Sequence, residues 1–167
     1  MALIPDAAAF QERLAALPLR TYQAGEFVLA TRSKTGQLLI LRKGVVAILK
    51  DGIKIATVAD PGAVFGELSA LLDQPHTADV RALETSQFYA ADAATLLVHE
   101  PTAVLYIATI LAQRLNMANR VVIELKSQLA AGKPHNVLGK KLEEMEGLLS
   151  GGGASFVYSG YPTDTYG

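Results

Sequence analysis

Six glycines divide the first half of this chain into short apolar runs. They stand at positions 25, 36, 44, 52, 62 and 66, and between them lie runs such as 37–41 and 45–49. Turn signals at such spacings, about eight to eleven residues, are typical of antiparallel sandwiches and jelly rolls. Asp51 followed by Gly52 predicts a two-residue hairpin turn between two of the runs. The stretch from Thr21 to Tyr89 therefore predicts an antiparallel β-roll.

Helical patterns flank this roll. The predicted helices are 7–16 with Asp6 as its cap, 93–99 begun by Asp92, and a long helix capped by Thr102 that ends near 128 or 131. The fold class is α+β and mainly β: a β-roll or jelly roll with an N-terminal helix, a short inserted helix and a long C-terminal helix. We expect one domain over residues 1–131, and a remainder, 132–167, with a short helix, a glycine-rich linker and an aromatic tail.

Composition narrows the class of protein. Half of the residues are hydrophobic, 19% are charged, and the net charge is −1, so no basic surface favours nucleic acid or an anionic membrane. The longest uncharged apolar stretch, 101–113, is too short to span a membrane, and the first residues do not read as a signal peptide. Because the chain has no cysteine, disulfides and thiol chemistry are excluded, and we expect a cytoplasmic location.

One motif interrupts the strands. Phe65-Gly66-Glu67-Leu68 is followed by leucines 71 and 72 at helical spacing, and then by Thr77-Ala78 and Val80. Gly66 can open a short helix whose first amides face an anion, and the carboxylate of Glu67 can accept a hydrogen bond from a hydroxyl. The combination resembles the phosphate-binding cassette of the cyclic-nucleotide-binding domain family, which has a catabolite-activator-like β-roll.

The resemblance implies a ligand and a set of binding residues. The ligand is cyclic AMP or cyclic GMP, with no further cofactor, no metal and no catalytic residue. Glu67 is expected to bind the ribose 2′-hydroxyl, Thr77 the phosphate, and Asn119 on the long helix the base; Arg114 is similarly placed, and for both helix residues a solvated surface role stays open. The implied site comprises Phe65, Gly66, Glu67, Leu68, Ser69, His76, Thr77, Ala78 and Asn119.

The cassette departs from the family pattern at one position, where His76 replaces an arginine. Arginine presents a permanently charged fork to phosphate, whereas histidine is mostly neutral near pH 7. Arg81 does not substitute for it, since strand alternation places Ala78, Val80 and Ala82 inside and Arg81 outside. Three interpretations remain: weakened binding of a cyclic nucleotide, a pocket that has lost nucleotide binding, or a different anionic ligand.

The long helix has two apolar stripes. One follows an unbroken four-three spacing, and we call it the heptad seam: Val104, Ala108, Leu111, Leu115, Ala118, Val122, Leu125 and Leu129. The other comprises Tyr106, Ile107, Ile110, Met117 and Val121. One stripe is expected to pack on the roll and the other on a second copy, which predicts a homodimer through residues 102–131, although burial of both stripes within one chain stays open.

The expected protein is a sensor module without enzymatic activity that signals to an unidentified effector protein. Residues 130–167 show neither the helix pattern nor the basic surface of a DNA-binding domain, so direct DNA binding is not expected. The tyrosines 158, 161 and 166 form either a disordered end or a docking peptide.

The main rival is a degenerate domain that acts as a ligand-free dimerisation scaffold. A metal-dependent cupin-type enzyme is disfavoured, since His76, His99 and His135 lack a close ligand pair.

Overall fold

The computed structural model describes residues 13–130. The predicted first helix lies mostly before this range, and its last turn is seen at 13–15. The segment 132–167, with its predicted short helix, linker and tyrosines, lies outside the described residues. The strands are β1 (Leu19–Tyr22), β2 (Phe27–Leu29), β3 (Gln37–Lys43), β4 (Val46–Lys50), β5 (Ile53–Val58), β6 (Val64–Phe65), β7 (Asp79–Ala82) and β8 (Ser86–Asp92). The helices are α1 (Glu67–Leu72), α2 (Ala93–His99) and α3 (Pro101–Ala130).

The strands form two antiparallel four-stranded sheets, in the orders β1-β8-β3-β6 and β2-β7-β4-β5. Apolar side chains from both sheets fill the space between them, with Phe88 at the centre in edge-to-face contact with Tyr22 and Phe65. This arrangement confirms the predicted antiparallel β-roll. Burial of such a two-sided apolar core gives the roll its own source of stability.

The predicted hairpin turn joins β4 and β5. Asp51 has φ 52° and Gly52 has φ 79°, and a two-residue turn with both angles positive is the type I′ turn that matches strand twist. Lys50 pairs with Ile53 on either side of it. The Asp-Gly signal in the sequence was therefore sufficient to locate this connection.

Strand β3 is buried on both faces. Leu39 and Leu41 point into the core between the sheets, whereas Leu38 and Ile40 point outward into a second apolar cluster. Residues of α2 and α3, among them Leu96 and Ile107, complete that second cluster. The continuous apolar run of β3 thus joins the roll to the helices that carry part of the site.

Helix α3 begins two residues before the expected position. The sequence predicted Thr102 as its cap, but Pro101 is the first helical residue, and the carbonyl of Glu100 accepts the amide of Val104 at 3.2 Å. Proline is suited to a first helical position because its φ is already helical and its missing N–H would have no intrahelical partner there. The predicted start of α2 at Asp92 is confirmed. The carboxylate of Asp92 caps this helix and accepts a hydrogen bond from the amide of Thr95 at 2.8 Å.

The two stripes of α3 have different surroundings. Ile107 and Ile110 pack in the cluster against β3, and Tyr106 donates a hydrogen bond to the carbonyl of Gly62 at 3.0 Å. The heptad seam is largely exposed: Leu115 is 63% and Leu129 is 68% accessible. One face of α3 therefore holds the helix on the roll, and the other is left apolar and accessible.

Within residues 13–130, no single helix is both long and apolar enough for a membrane span. The pair α2 and α3, bent by 106° at their junction, meets the same test of length and composition when taken together.

Candidate functional site

The cassette lies between β6 and β7, and Gly66 fixes its geometry. Gly66 precedes α1 with φ 90°, and a Cβ atom at this position would lie 2.4 Å from the carbonyl oxygen of Gln37. Both the backbone angle and the close approach to β3 require glycine. The prediction that Gly66 opens a short helix is confirmed by α1, which begins at Glu67.

Glu67 lies at the first turn of α1 and is only 5% exposed. Its Oε1 accepts a hydrogen bond from Nη1 of Arg114 at 2.6 Å, across 47 residues of sequence. Arg114 also approaches the carbonyl of Val64 at 3.5 Å. A buried carboxylate needs such a partner, because desolvation without one is costly. The long helix is therefore tied by an ion pair to the residue expected to bind ribose.

Two contacts connect α3 to the segment that leads into the cassette. Tyr106 binds Gly62 at the start of this segment, and Arg114 binds Glu67 at its end. Burial raises the pKa of Tyr106, so its hydroxyl remains a donor at physiological pH. The segment 62–67 is therefore attached to α3 at both of its ends.

His76 is buried on the other side of Gly66, with 6% of its surface exposed. Its Nε2 lies 3.0 Å from Oγ1 of Thr35, in the turn between β2 and β3. Its backbone amide donates to the carbonyl of Ser33 at 2.8 Å, and its carbonyl accepts from the amide of Arg32 at 2.9 Å. Three hydrogen bonds thus fix the histidine against this turn.

The charge state of His76 follows from its surroundings. Burial away from water lowers the pKa of His76, and the nearby carboxylate of Glu67 acts in the opposite sense without reversing the shift. The imidazole is therefore neutral at pH 7. A ring nitrogen of a neutral histidine can donate one hydrogen bond to a phosphate but brings no permanent positive charge.

Other predicted site residues fall into two groups. Phe65 and Ser69 are buried: Phe65 packs in the core, and the hydroxyl of Ser69 donates to the carbonyl of Gln74 at 2.6 Å, which closes the turn after α1. Leu68 and Thr77 are exposed, and Ala78 is half-buried. The ligand roles of all five stay predictions.

The leucines of the cassette helix do not pack in the core. Leu68, Leu71 and Leu72 are each more than two-fifths exposed. Their helical spacing predicted the helix correctly, but α1 turns this apolar side outward and buries Glu67 and Ser69 instead. The inward side of α1 is held by polar contacts instead, those of Glu67 with Arg114 and of Ser69 with the carbonyl of Gln74.

Arg81 lies outside the roll, as the alternation of β7 predicted. Val80 and Ala82 are buried, whereas Arg81 is exposed, donates through Nε to the carbonyl of Gly25 at 2.9 Å and lies 5.7 Å from the ring centroid of Phe27. These contacts hold its guanidinium on the outer surface. Arg81 is therefore not a substitute for an arginine at position 76.

Of the two residues on α3 that the sequence left open, Arg114 contacts Glu67 of the cassette, whereas the role of Asn119 at the base stays a prediction. Asn119 is exposed and lies more than one turn beyond Arg114. The sequence contained a signal for the inward position of Arg114. The residues of α3 that face the roll recur every three or four positions, and Arg114 belongs to this repeat. Its members are Ala103, Ile107, Ile110, Arg114, Met117 and Val121. A single arginine on an inward apolar stripe predicts a buried acidic partner.

Comparison with known proteins identifies the domain. Residues 19–98 match the sequence family "Cyclic nucleotide-binding domain". This stretch runs from the start of β1 to α2 and includes the whole cassette. The chain therefore contains a cyclic nucleotide-binding domain, and domains of this family are typically regulatory and non-catalytic.

Solved structures agree with this assignment. "Sp-2Cl-cAMPS bound to PKAR CBD2" is 25% identical with a TM-score of 0.54, covering 68% of this chain and 75% of that one. The N-terminal domain of a transcriptional regulator from Streptomyces coelicolor A3(2) is also 25% identical, with a TM-score of 0.52 and coverages of 69% and 85%. The Catabolite Activator Protein of Thermus thermophilus, at 22% identity, shares the fold with a TM-score of 0.58 over 86% of this chain and 80% of its own. No curated protein matches the chain in sequence.

Proposed function

We propose that this chain is a regulatory module that binds a cyclic nucleotide, cyclic AMP or cyclic GMP, and transmits its ligand state to a partner protein. The observation that carries the proposal is the buried Glu67, held in the cassette by Arg114 from α3. The same carboxylate is the acceptor that a ribose 2′-hydroxyl requires. Ligand binding and the anchoring of α3 therefore share one residue.

This shared residue gives the proposed mechanism of signalling. A ribose hydroxyl at Glu67 adds a second donor to a carboxylate that already accepts from Arg114, and so changes the strength of the tie to α3. A ligand shifts a conformational equilibrium only by its difference in affinity for the two states. We expect the ligand to favour the conformation in which Arg114 and the ribose hydroxyl both donate hydrogen bonds to the carboxylate of Glu67.

Binding is expected to be weak. His76 stands where the family has arginine, and it is buried and neutral. Loss of one charge-assisted hydrogen bond, about 1.5–3 kcal/mol, weakens an affinity by roughly ten- to a hundredfold. Such a module responds to higher nucleotide concentrations than one with a complete cassette.

Isothermal titration of the full chain with cyclic AMP and cyclic GMP tests the proposal. Linear 5′-AMP is the matched control, because it has the same base and ribose but lacks the cyclic phosphodiester. We expect saturable binding of at least one cyclic nucleotide and weaker binding of 5′-AMP. Absence of heat and of thermal stabilisation with both cyclic nucleotides at millimolar concentration would refute the proposed function.

We further propose a homodimer through α3. The heptad seam exposes Leu115, Val122 and Leu129 along about four turns of a helix whose opposite face is packed on the roll. Exposed apolar stripes of this length are commonly covered by a partner. Light scattering at tens of micromolar should show a dimer.

Leu115→Glu should yield folded monomers, because it places an unpaired charge in the seam while the roll keeps its own core. Gln113→Glu is the matched control: it adds the same charge at an exposed polar position of α3 outside the seam. A monomeric wild type, or dissociation of both variants alike, would show that the seam is not the interface.

A second function is supported by the same stripe. A domain that uses only α3 for association needs no nucleotide, and His76 weakens the phosphate end of the site. This ligand-free scaffold is favoured if the wild type dimerises but gives no signal with either nucleotide. In both cases we propose a non-catalytic protein of the cytoplasm.

A further inference from the structure

The phosphate end of the proposed nucleotide site raises the question of which side chain supplies positive charge. Basic residues near the cassette are already engaged. Arg114 pairs with Glu67, Lys34 pairs with Asp73 after α1, and Arg81 is held on the outer surface by the carbonyl of Gly25. A cation that is drawn away from an existing ion pair contributes less to a new ligand, because the first partner is left unpaired.

Arg32 is the remaining basic residue next to position 76. Its amide donates to the carbonyl of His76, and the amide of His76 donates in turn to Ser33. These two hydrogen bonds hold the backbone of the turn close to the backbone at position 76. The side chain of Arg32 is exposed, and among residues 13–130 its guanidinium has no hydrogen bond or ion pair.

The backbone of Arg32 is unusual for an arginine. Its φ is 66°, in the left-handed region, and among the described residues only Asp51 and Asp73 share this feature without being glycine. The two aspartates occupy a hairpin turn and a helix C-cap, where their residue type is tolerated. Arg32 also lies in a turn, closed by the amide of Ser33 on the carbonyl of Ala30 at 3.1 Å, but arginine is not a residue type that this backbone angle favours. A strained residue that persists beside a candidate site is a ground for inferring function.

We propose that Arg32 supplies the guanidinium for the cyclic phosphate, from the turn between β2 and β3, in place of the arginine that the cassette lacks. The proposal rests on the proposed nucleotide-binding function. The ligand is the singly charged phosphodiester of a cyclic nucleotide, and a planar guanidinium can donate two parallel hydrogen bonds to its exocyclic oxygens. His76 then acts as a positioning residue, since its backbone fixes the turn that carries Arg32.

Arg32→Gly separates this role from a structural one. Glycine adopts φ 66° without strain, so the melting temperature should stay the same or rise. The affinity for the cyclic nucleotide should fall about tenfold or more. If Arg32 were needed only for the fold, its substitution would lower the melting temperature and the affinity together. Arg32→Lys keeps the charge but loses the fork, and should bind between wild type and Arg32→Gly.

The experiment is a titration of these variants, with Arg120→Ala as a control that removes one exposed positive charge elsewhere. Wild-type affinity in Arg32→Gly, a parallel loss of melting temperature and affinity, or an equal loss in Arg120→Ala would each overturn the role of Arg32 and leave the proposed function standing. A wild type that binds neither cyclic nucleotide overturns the proposed function and this inference with it. His76→Arg in the Arg32→Gly background should restore binding.

Discussion

The two ends of the candidate site are built on different electrostatics. At the ribose end, Glu67 and Arg114 form a buried ion pair between the cassette and α3. At the phosphate end, a neutral His76 is held by hydrogen bonds to the turn between β2 and β3. The charges at the ribose end compensate each other, whereas position 76 at the phosphate end carries no charge. The ribose end therefore couples to the fold, whereas the phosphate end limits affinity.

The difference also separates the effects of substitutions. Changes at the ribose end should act mainly on stability and on the position of α3, because they leave a buried charge without its partner. Changes at His76 should act mainly on ligand affinity.

The largest effect is expected at Gly66, the residue that both ends share. Gly66→Ala should lower the free energy of unfolding by about 3 kcal/mol or more, because a Cβ would meet the carbonyl oxygen of Gln37 in addition to the strain at φ 90°. Gly52→Ala is a matched control: φ is 79° there, but nothing lies within 4 Å of the added carbon. It should cost about 1 kcal/mol, from backbone strain alone. Equal losses for both in urea unfolding would show that the contact with β3 does not require glycine.

The ion pair predicts a non-additive result. Glu67→Gln and Arg114→Met should each lower the free energy of unfolding by about 2–3 kcal/mol. This loss is smaller than that expected on breaking a fully buried ion pair, because the side chain of Arg114 retains some exposure. The double variant should cost less than the sum, because neither charge is left behind. The measurement is a double-mutant cycle by urea unfolding. Additive losses would mean that the two side chains do not stabilise each other.

The fold could be predicted from the sequence further than the site could. The glycine spacing, the Asp51-Gly52 turn and the helix after Gly66 depend on local conformation, which residue type largely decides. The neighbours of His76 do not follow from local signals. Thr35 and Arg32 lie more than forty positions away and reach His76 only through the way β2 and β7 pair. Such register is set by the packing of the whole roll.

His76→Arg should tighten binding of the cyclic nucleotide by about 1–3 kcal/mol, roughly fivefold to 150-fold. The added guanidinium places a permanent charge at position 76, beside the one proposed for Arg32. His99→Arg is the control, since His99 is exposed on α2 and the change adds the same charge away from the cassette. Equal affinities of wild type and His76→Arg would place the weakness of the site elsewhere than at position 76.

The smallest expected effect is the dependence on pH. In the free protein burial lowers the pKa of His76 below its usual value of 6.5, so the unfolded chain binds more protons than the native one in this window. The free energy of unfolding should therefore decrease as pH falls from about 6.5, by less than about 1.4 kcal/mol per pH unit.

Binding should respond in the opposite direction. A bound phosphate favours the protonated imidazole and raises the pKa of His76 in the complex, so affinity should increase as pH falls through the bound-state pKa and level off below the pKa of the free protein. Titrations between pH 5.5 and 8, a range that covers about one unit on each side of an ordinary histidine pKa, measure this change. His76→Gln should remove the pH dependence of binding, whereas His99→Gln should retain it. An affinity that is constant over this range in the wild type would mean that the imidazole does not face the phosphate, and position 76 would then serve only to hold the turn that carries Arg32.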